Sequence, residues 1–338
     1  MKLEFEHIQA AHCENGVTVS LLRNAGVHQI TEPLAFGLGA GLFFIYLPLL
    51  KINNGPVIAF RTFPGLIFKR TCKGLRIPIT RRKFTSKLKA TAFLEQCLNS
   101  GNPAGCQVGV YYLPYFPKEY RFHFNAHNII VFGKEDGKYL ISDPVMEKVT
   151  ELTASQLERV RFAKGLLAPK GQVYYPKEKR IITDEQIAQG IINGVEKNIH
   201  NMLHIPGPMV GISGINFMGK KIKKWRIKFG LKQAGMNLAQ LIRMQEEIGT
   251  GGGGFRYIYA AFLQEAFAYH PDPRLMDISG LFTKSGDLWR TVASHAAGIF
   301  KGKTTDQIYF DAIGDSLSEI AEIERAGFLA LSKVKWKR

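Results

Sequence analysis

Hydrophobic residues are spaced in two different ways along the chain, and the change in spacing divides it in two. Up to about residue 178, helical stretches are followed by short runs rich in Val, Ile and Tyr, which Gly, Pro and Asp separate. After it, long segments with helical spacing follow one another. We therefore predict an α+β domain with an antiparallel sheet over residues 1–178 and a mainly α-helical domain over residues 179–338.

The first domain is predicted to begin with helices and to continue with strands. The pattern indicates a first helix over 13–24 that stops at Gly26, and a short second helix capped by Thr31. The other predicted elements are a helix over 84–98 and strands over 42–49, 57–60, 107–112, 128–133, 138–142 and 173–175. Residues 135–138, Glu-Asp-Gly-Lys, predict a tight hairpin between two of these strands.

The second domain is predicted to contain a series of helices. The first opens at 183–186 with a capping-type sequence, and further helical stretches lie near 231–248, 255–269, 284–299 and 305–332. A membrane span is considered only for the uncharged segment 33–50, whose length approaches that of a span. Because three glycines and Pro48 interrupt that segment, we expect a buried helix, turn and strand there.

Cysteine usage and the N-terminal residues bear on where the protein works. The four cysteines form no CxxC pair and have no metal-like spacing with histidine, so we expect reduced thiols and no metal site. Residues 1–6 are not those of a signal peptide. We therefore expect a cytoplasmic protein.

The formal net charge of +17 favours an acidic partner. Basic residues cluster over 69–89 and over 220–232. In a continuous helix, Ile222, Trp225 and Phe229 would share one side among lysines, which suits either the surface of an anionic membrane or an acidic carrier protein. Solvated faces that aid solubility are the alternative. No nucleic-acid-binding motif accompanies the charge, so nucleic acid is not expected as a partner.

Cys13 is the sharpest candidate for chemistry, because it stands at the start of a predicted helix among polar neighbours. The partial positive charge of a helix N-terminus favours a thiolate. His127 opens one predicted strand and Asp143 closes the next, so the two can meet at one end of a hairpin. Together the three fit a Cys-His-Asp nucleophile for acyl transfer or hydrolysis. The alternatives are a core cysteine, His123 in place of His127, and a turn-forming Asp-Pro at Asp143.

The order of these motifs resembles that of a known family. The histidine strand and Asp143-Pro144 are similar to those of papain-like cysteine peptidases that process bacteriocin leaders. A closer resemblance is to the butirosin biosynthesis protein H family. It is carried by His12-Cys13, by residues 31–42 (TEPLAFGLGAGL), by the His127/Asp143 hairpin and by residues 249–263. The resemblance implies a papain-like catalytic domain over residues 1–178 and a helical accessory domain that covers the substrate over residues 179–338.

That resemblance also implies an activity: an acyltransferase that takes an acyl group from a carrier protein, or CoA, thioester and passes it to an amine or hydroxyl. Cys13 would be the nucleophile, His127 the general base and acid, and Asp143 the orienting group. No bound cofactor is implied, since the acyl-phosphopantetheine thioester is the donor substrate. The candidate substrate-binding residues are His12, Glu32, His123, Thr250, Gly251 and Arg256.

Several alternatives to these expectations remain. The glycines at 251–254 are either a flexible hinge or, with Arg256, a segment that contacts the phosphopantetheine arm. Gln9 lies only four residues before Cys13, so the oxyanion hole is expected to use the N–H of Cys13 and a neighbour. A cysteine peptidase or amidase and a non-catalytic protein that binds carrier or anionic lipid are the alternative functions. We expect that the protein can form a homodimer.

Overall fold

The computed structural model describes residues 1–52, 55–247 and 251–336. The chain forms two compact units. The first consists of residues 1–35 and 67–183, and the second of residues 36–66 and 184–338. This differs from the expected continuous division at residue 178, because the segment 36–66 belongs with the helices of the second unit.

A six-stranded antiparallel sheet and four helices make up most of the first unit. The strands are β3 (Ile79–Arg82), β4 (Ala104–Val108), β5 (His127–Glu135), β6 (Lys138–Ser142), β7 (Thr150–Thr153) and β8 (Val173–Pro176), in the spatial order β3-β8-β4-β5-β6-β7. The helices are α1 (Cys13–Asn24), α3 (Leu66–Gly74), α4 (Lys87–Asn99) and α5 (Ala154–Arg161), and α2 (Glu32–Leu38) crosses the boundary between the units. Leu94, Cys106, Ile129, Ile141 and Leu157 belong to the core of this unit.

Helix α1 lies against the middle of the sheet, where it contacts β4, β5 and β8. It has the predicted bounds, and Gly26 follows it with a φ of 95°. The N–H of Gly26 donates to the carbonyl of Arg23 and the N–H of Val27 to that of Leu22, both at 2.9 Å. These two bonds satisfy the last carbonyls of the helix, as expected for a C-terminal glycine.

The predicted hairpin joins β5 and β6. Asp136 and Gly137 form its turn with φ values of 47° and 77°, and Glu135 pairs with Lys138. Two consecutive positive φ angles are typical of the turn that suits a right-handed strand twist. This hairpin brings the start of β5 and the end of β6 to the same edge of the sheet.

The second unit combines a β-hairpin with helices. The hairpin strands are β1 (Leu42–Ile52) and β2 (Gly55–Arg61), and the helices are α6 (Asp184–Ile199), α7 (Gly211–Ile222), α8 (Trp225–Ile242), α9 (Gly251–Tyr269), α10 (Arg274–Phe300) and α11 (Gln307–Leu331). Phe44 and Phe60 of the hairpin pack their rings against Trp289, with ring centroids 5.7 and 5.0 Å away. The segment 33–50 is therefore the expected helix, turn and strand, with Phe44 and Tyr46 buried and Leu49 and Leu50 exposed at its end.

Three local predictions differ from the structure. The predicted strand 107–112 ends at Val108, and Val110–Tyr112 form a short 3₁₀ turn instead. The glycine run opens α9, so the helix begins at Gly251 and not near Phe255. The lysine-rich stretch is not one helix, because α7 ends at Ile222 and α8 starts at Trp225.

That break changes the meaning of the lysine-rich stretch. Ile222 and Trp225 are buried, whereas Phe229 is exposed. Their side chains thus do not form the continuous apolar face expected for a membrane surface. Within the described residues, none of the helices combines the length and the apolar character needed to span a bilayer.

Candidate active site

Cys13 is the first residue of α1. The preceding His12 is the N-cap, and its side chain accepts the N–H of Asn15 at 3.4 Å. The Cys13 thiol therefore lies at the positive end of the helix dipole, where a thiolate is stabilised. Cys13 is only 6% exposed.

The Glu32 carboxylate holds the turn that leads into Cys13. Its two oxygens accept the backbone N–H groups of Ala11 and His12, each at 2.9 Å, and the side-chain amide of Asn15 at 3.3 Å. Burial raises the pKa of Glu32, although these hydrogen bonds oppose that rise. Glu32 thus acts on the backbone of the cysteine turn, which is a different role from the substrate contact expected for it.

His127 and Asp143 meet at the edge of the sheet that the hairpin forms. His127 is the first residue of β5, and Asp143 directly follows β6. His127 Nε2 lies 2.7 Å from Asp143 Oδ2. Asp143 is fully buried and also accepts the Tyr115 hydroxyl at 2.9 Å and the N–H of Val145 at 3.2 Å.

A close approach of backbone segments brings α1 to this edge. Pro144 carbonyl accepts the N–H of Ala10 at 2.8 Å. Gly16 faces the same proline, and a Cβ there would lie 2.4 Å from the Pro144 Cβ. Only a residue without a side chain fits at position 16. The segment that carries Asp143 is thereby joined to the turn that carries Cys13.

The charges of the neighbours determine the protonation of His127. Burial lowers its pKa, but the Asp143 carboxylate and the Cys13 sulfur, which also hydrogen-bond to the ring, raise it to about 10. With Nε2 bonded to Asp143, Nδ1 is the ring atom left for Cys13. The arrangement favours a thiolate–imidazolium pair, which can attack a carbonyl and later deliver a proton.

Two residues that the sequence analysis did not select are linked to Cys13, Asn128 directly and Tyr174 through Asn128. Asn128 Nδ2 lies 3.9 Å from Cys13 Sγ, and the Tyr174 hydroxyl donates to Asn128 Oδ1 at 2.8 Å. Both residues are buried. A polar Asn beside His127 in an otherwise apolar strand was the available signal for the first, whereas the role of Tyr174 depends on the pairing of β4 with β8.

Two family models match most of the chain. Residues 12–144 match the family model described as butirosin biosynthesis protein H, N-terminal. Residues 155–331, more than half of the chain, match DUF4872, a domain of unknown function. The chain belongs to the butirosin biosynthesis protein H family. The family resemblance is confirmed, as is the α+β class with an antiparallel sheet and a mainly helical second part.

One solved structure and the curated proteins complete the comparison. The crystal structure of a C39-like peptidase from Bacillus anthracis is 14% identical, with a TM-score of 0.37. The match covers 53% of this butirosin biosynthesis protein H family member and 100% of that chain. No curated protein sequence matches the chain.

His123 in this family member lies beside a basic cleft of the first unit. Its ring stacks on Tyr111, with centroids 4.0 Å apart. The cleft has a volume of about 470 Å³, and its lining residues are Tyr111, Tyr112, Pro114, Lys118, Arg121, Gln156 and Arg159. Among the described residues, no carboxylate forms an ion pair with its three cations. His123 thus flanks a candidate anion-binding surface, while His127 is the histidine at Cys13.

The remaining predicted binding residues fall in the second unit or outside the described residues. Arg256 is fully buried, where its guanidinium donates to both carboxylate oxygens of Glu324 at 2.8 and 3.1 Å and to the Phe60 carbonyl. The donors of Arg256 thus serve the core of the second unit, and its contact with the phosphopantetheine arm stays a prediction that this position does not support. Gly251 begins α9 with a φ of 67° and is packed against the Gln245 carbonyl. Thr250 lies outside the described residues.

Two further features concern the chemistry available to this family member. Gln9 is exposed, in keeping with its exclusion as an oxyanion donor. In the described parts of the chain, no cluster of three His, Cys, Asp or Glu side chains could hold a metal ion. The four cysteines are free thiols.

Proposed function

We propose that the protein is an acyltransferase that carries the acyl group on Cys13. The observation that supports this most directly is the contact of His127 with both Cys13 and Asp143 at the positive end of α1. A thiolate, a proton carrier and an orienting carboxylate in this order are the parts that two-step acyl transfer requires.

In the first step, the Cys13 thiolate attacks the carbonyl carbon of a donor thioester. A carbon–sulfur bond forms to Sγ, and the carbonyl oxygen becomes an oxyanion. When the intermediate collapses, the bond to the donor sulfur breaks, and the leaving thiolate takes the proton from His127. Asp143 and Tyr115 keep the imidazole ring in place during this exchange.

In the second step, an amine or hydroxyl attacks the acyl group on Cys13. His127 is now neutral and accepts the proton of the nucleophile. The bond between Sγ and the acyl carbon breaks, and the thiolate–imidazolium pair is restored. The products are an amide or ester and the free enzyme.

Burial of the reacting groups supports transfer over hydrolysis. Cys13 and His127 are 6% and 5% exposed, and Asp143 is 0% exposed. Limited access of bulk water protects an acyl-enzyme from hydrolysis. The relative that gives the family its name is a biosynthesis protein. A biosynthetic transfer is thus a closer analogy than peptide cleavage.

We propose an acidic acyl carrier protein as the donor. The net charge of +17 favours an anionic partner. Within the first unit, the cations of the basic cleft are Lys118, Arg121 and Arg159. Arg121 also donates to the carbonyls of Pro114 and Phe116, and the Phe116 ring packs edge-on against His127. One short loop therefore connects the cleft to His127, the proposed general base.

The test is a product assay with acyl carrier protein thioesters. The protein is incubated with a panel of carriers of different acyl chain length, with and without a panel of amines, and the acylated amine and the free acid are quantified by mass spectrometry. We expect the amide to exceed the free acid when the right amine is present. Free acid alone under all conditions would indicate a hydrolase and contradict the proposal.

Two cysteine variants control this assay. Cys13→Ala should remove both products. Cys72→Ala changes another buried cysteine of the first unit, in α3, and should retain them. Equal activity of Cys13→Ala and the unmodified protein would exclude Cys13 as the acyl carrier.

A further inference from the structure

The side-chain amide of Asn128 has a defined orientation at Cys13. Asn128 Nδ2 donates to the Ala126 carbonyl at 3.1 Å, and Oδ1 accepts the Tyr174 hydroxyl at 2.8 Å. Because a carbonyl can only accept, the first bond fixes which atom is the nitrogen. The same nitrogen lies 3.9 Å from Cys13 Sγ. The NH₂ group of the Asn128 side chain therefore lies beside Cys13 Sγ.

Tyr174 holds that orientation rigidly. Its ring packs on Phe68, with centroids 4.8 Å apart, and lies so close to Gly105 that a Cβ there would be 2.5 Å from the ring. Burial, with the nearby Glu14 and Cys13, raises the pKa of Tyr174 well above its ordinary value. The hydroxyl therefore stays protonated and remains a donor to Asn128 Oδ1.

This geometry matters for the oxyanion of an acyl intermediate. Once Sγ has bonded to a carbonyl carbon, the charged oxygen lies on the atom next to the sulfur. A donor at 3.9 Å is far for a hydrogen bond to sulfur itself, yet it leaves room for an oxygen in between. We propose that Asn128 Nδ2 donates to the oxyanion formed at Cys13, and that Tyr174 is its positioning residue. This deepens the proposed function and rests on Cys13 as the nucleophile.

Two reactions of Cys13 separate this role from a structural one. With p-nitrophenyl acetate, sulfur bonds to the acetyl carbon through an oxyanion, and the bond to p-nitrophenolate then breaks. With iodoacetamide, sulfur displaces iodide from a saturated carbon, and no oxyanion forms. A group that only supports the thiolate or the local fold affects both reactions, whereas an oxyanion donor affects the first alone.

The experiment measures both rate constants for the full chain and for Asn128→Leu, which keeps the side-chain size but has no donor. We expect acetylation to fall about 100-fold to 1,000-fold, as for other oxyanion donors, and alkylation to stay within about threefold. Equal losses in both reactions would overturn the proposal, as would unchanged acetylation. If the unmodified protein reacts with neither reagent at Cys13, the proposed function fails as well.

Tyr174 variants test the positioning role and provide a control for folding. Tyr174→Phe retains the packed ring and should slow acetylation about threefold to tenfold, the effect of one hydrogen bond. The double variant Asn128→Leu/Tyr174→Phe removes both partners of the Tyr174–Asn128 hydrogen bond, so neither is left unpaired by the loss of the other. It should acetylate at the rate of Asn128→Leu, because Tyr174 acts through Asn128. A further loss in the double variant would show that Tyr174 has a separate role.

Discussion

His127 connects the charges of the site to the stability of the fold. Burial lowers the pKa of its imidazole, but Asp143 and Cys13 raise it from 6.5 to about 10. The folded protein thus binds this proton more tightly than the unfolded chain. The resulting stability is fully present below pH 6.5 and is lost as the pH rises through about 10.

This linkage predicts a pH dependence of unfolding. Between about pH 7 and about pH 10, the free energy of unfolding should fall more steeply with pH in the unmodified protein than in Asp143→Asn, which lacks the charge that raises the pKa of His127. Urea titrations at several pH values measure both slopes. Parallel slopes in the two proteins would contradict the imidazolium assignment.

At the scale of elements, the contact between α1 and the segment after β6 aligns the cysteine with its partners. Gly16→Ala would place a Cβ 2.4 Å from the Pro144 Cβ and 2.7 Å from the Ala10 Cβ. Overpacking of this kind costs about 1–3 kcal/mol. We expect that loss of stability together with slower alkylation of Cys13 by iodoacetamide.

The matched control is Gly280→Ala within helix α10. A Cβ at Gly280 meets nothing within 4 Å. Helix propensity alone should then stabilise the protein by about 0.5–1 kcal/mol, with no change in alkylation. Thermal unfolding and alkylation kinetics of both variants provide the comparison. If Gly16→Ala behaves like Gly280→Ala, the close packing of α1 on Pro144 is not needed for the site.

How far the sequence predicts these elements depends on whether the signal is local. Helix α1 and the β5–β6 hairpin were predicted with nearly the observed bounds because Gly26 and Asp136-Gly137 determine their ends through backbone conformation. Helix α3 and strand β3 were not predicted, since their short segments gain stability only from the sheet and helices around them. The ion pair of Arg256 could not be predicted, because its partner Glu324 lies 68 residues away.

At the scale of the whole molecule, local sequence patterns do not reveal how the chain is divided between the units or where its charge is grouped. The spacing of hydrophobic residues predicted the α+β class and a division in two, but local patterns did not reveal that residues 36–66 join the second unit. Nor did spacing reveal Asn128 and Tyr174, which come together through the pairing of three strands. The net positive charge was evident from the composition. The grouping of Lys118, Arg121 and Arg159 in the basic cleft could be seen only in the folded structure.

That charge predicts a salt-dependent reaction with the carrier protein. Arg159→Glu in the basic cleft should lower kcat/KM for an acidic acyl carrier thioester by about tenfold at low ionic strength, with convergence near 1 M salt. Lys301→Glu, at the exposed end of α10, makes the same charge change elsewhere and should have a much smaller effect. Acetylation by p-nitrophenyl acetate should be unaffected in both. If Arg159→Glu and Lys301→Glu lowered kcat/KM for the carrier thioester by similar factors, the charge would act by long-range attraction without docking at the cleft.

The most direct measurement for the central claim is the site of the covalent intermediate. The protein is mixed with an acyl carrier thioester, quenched in acid and digested, and the acyl mass is located among the peptides that contain Cys13, Cys72, Cys97 and Cys106. The proposed mechanism predicts the acyl group on Cys13 alone, with loss of that mass when an acceptor amine is added. An acyl group on another residue, or product formation without any acyl-Cys13, would contradict it.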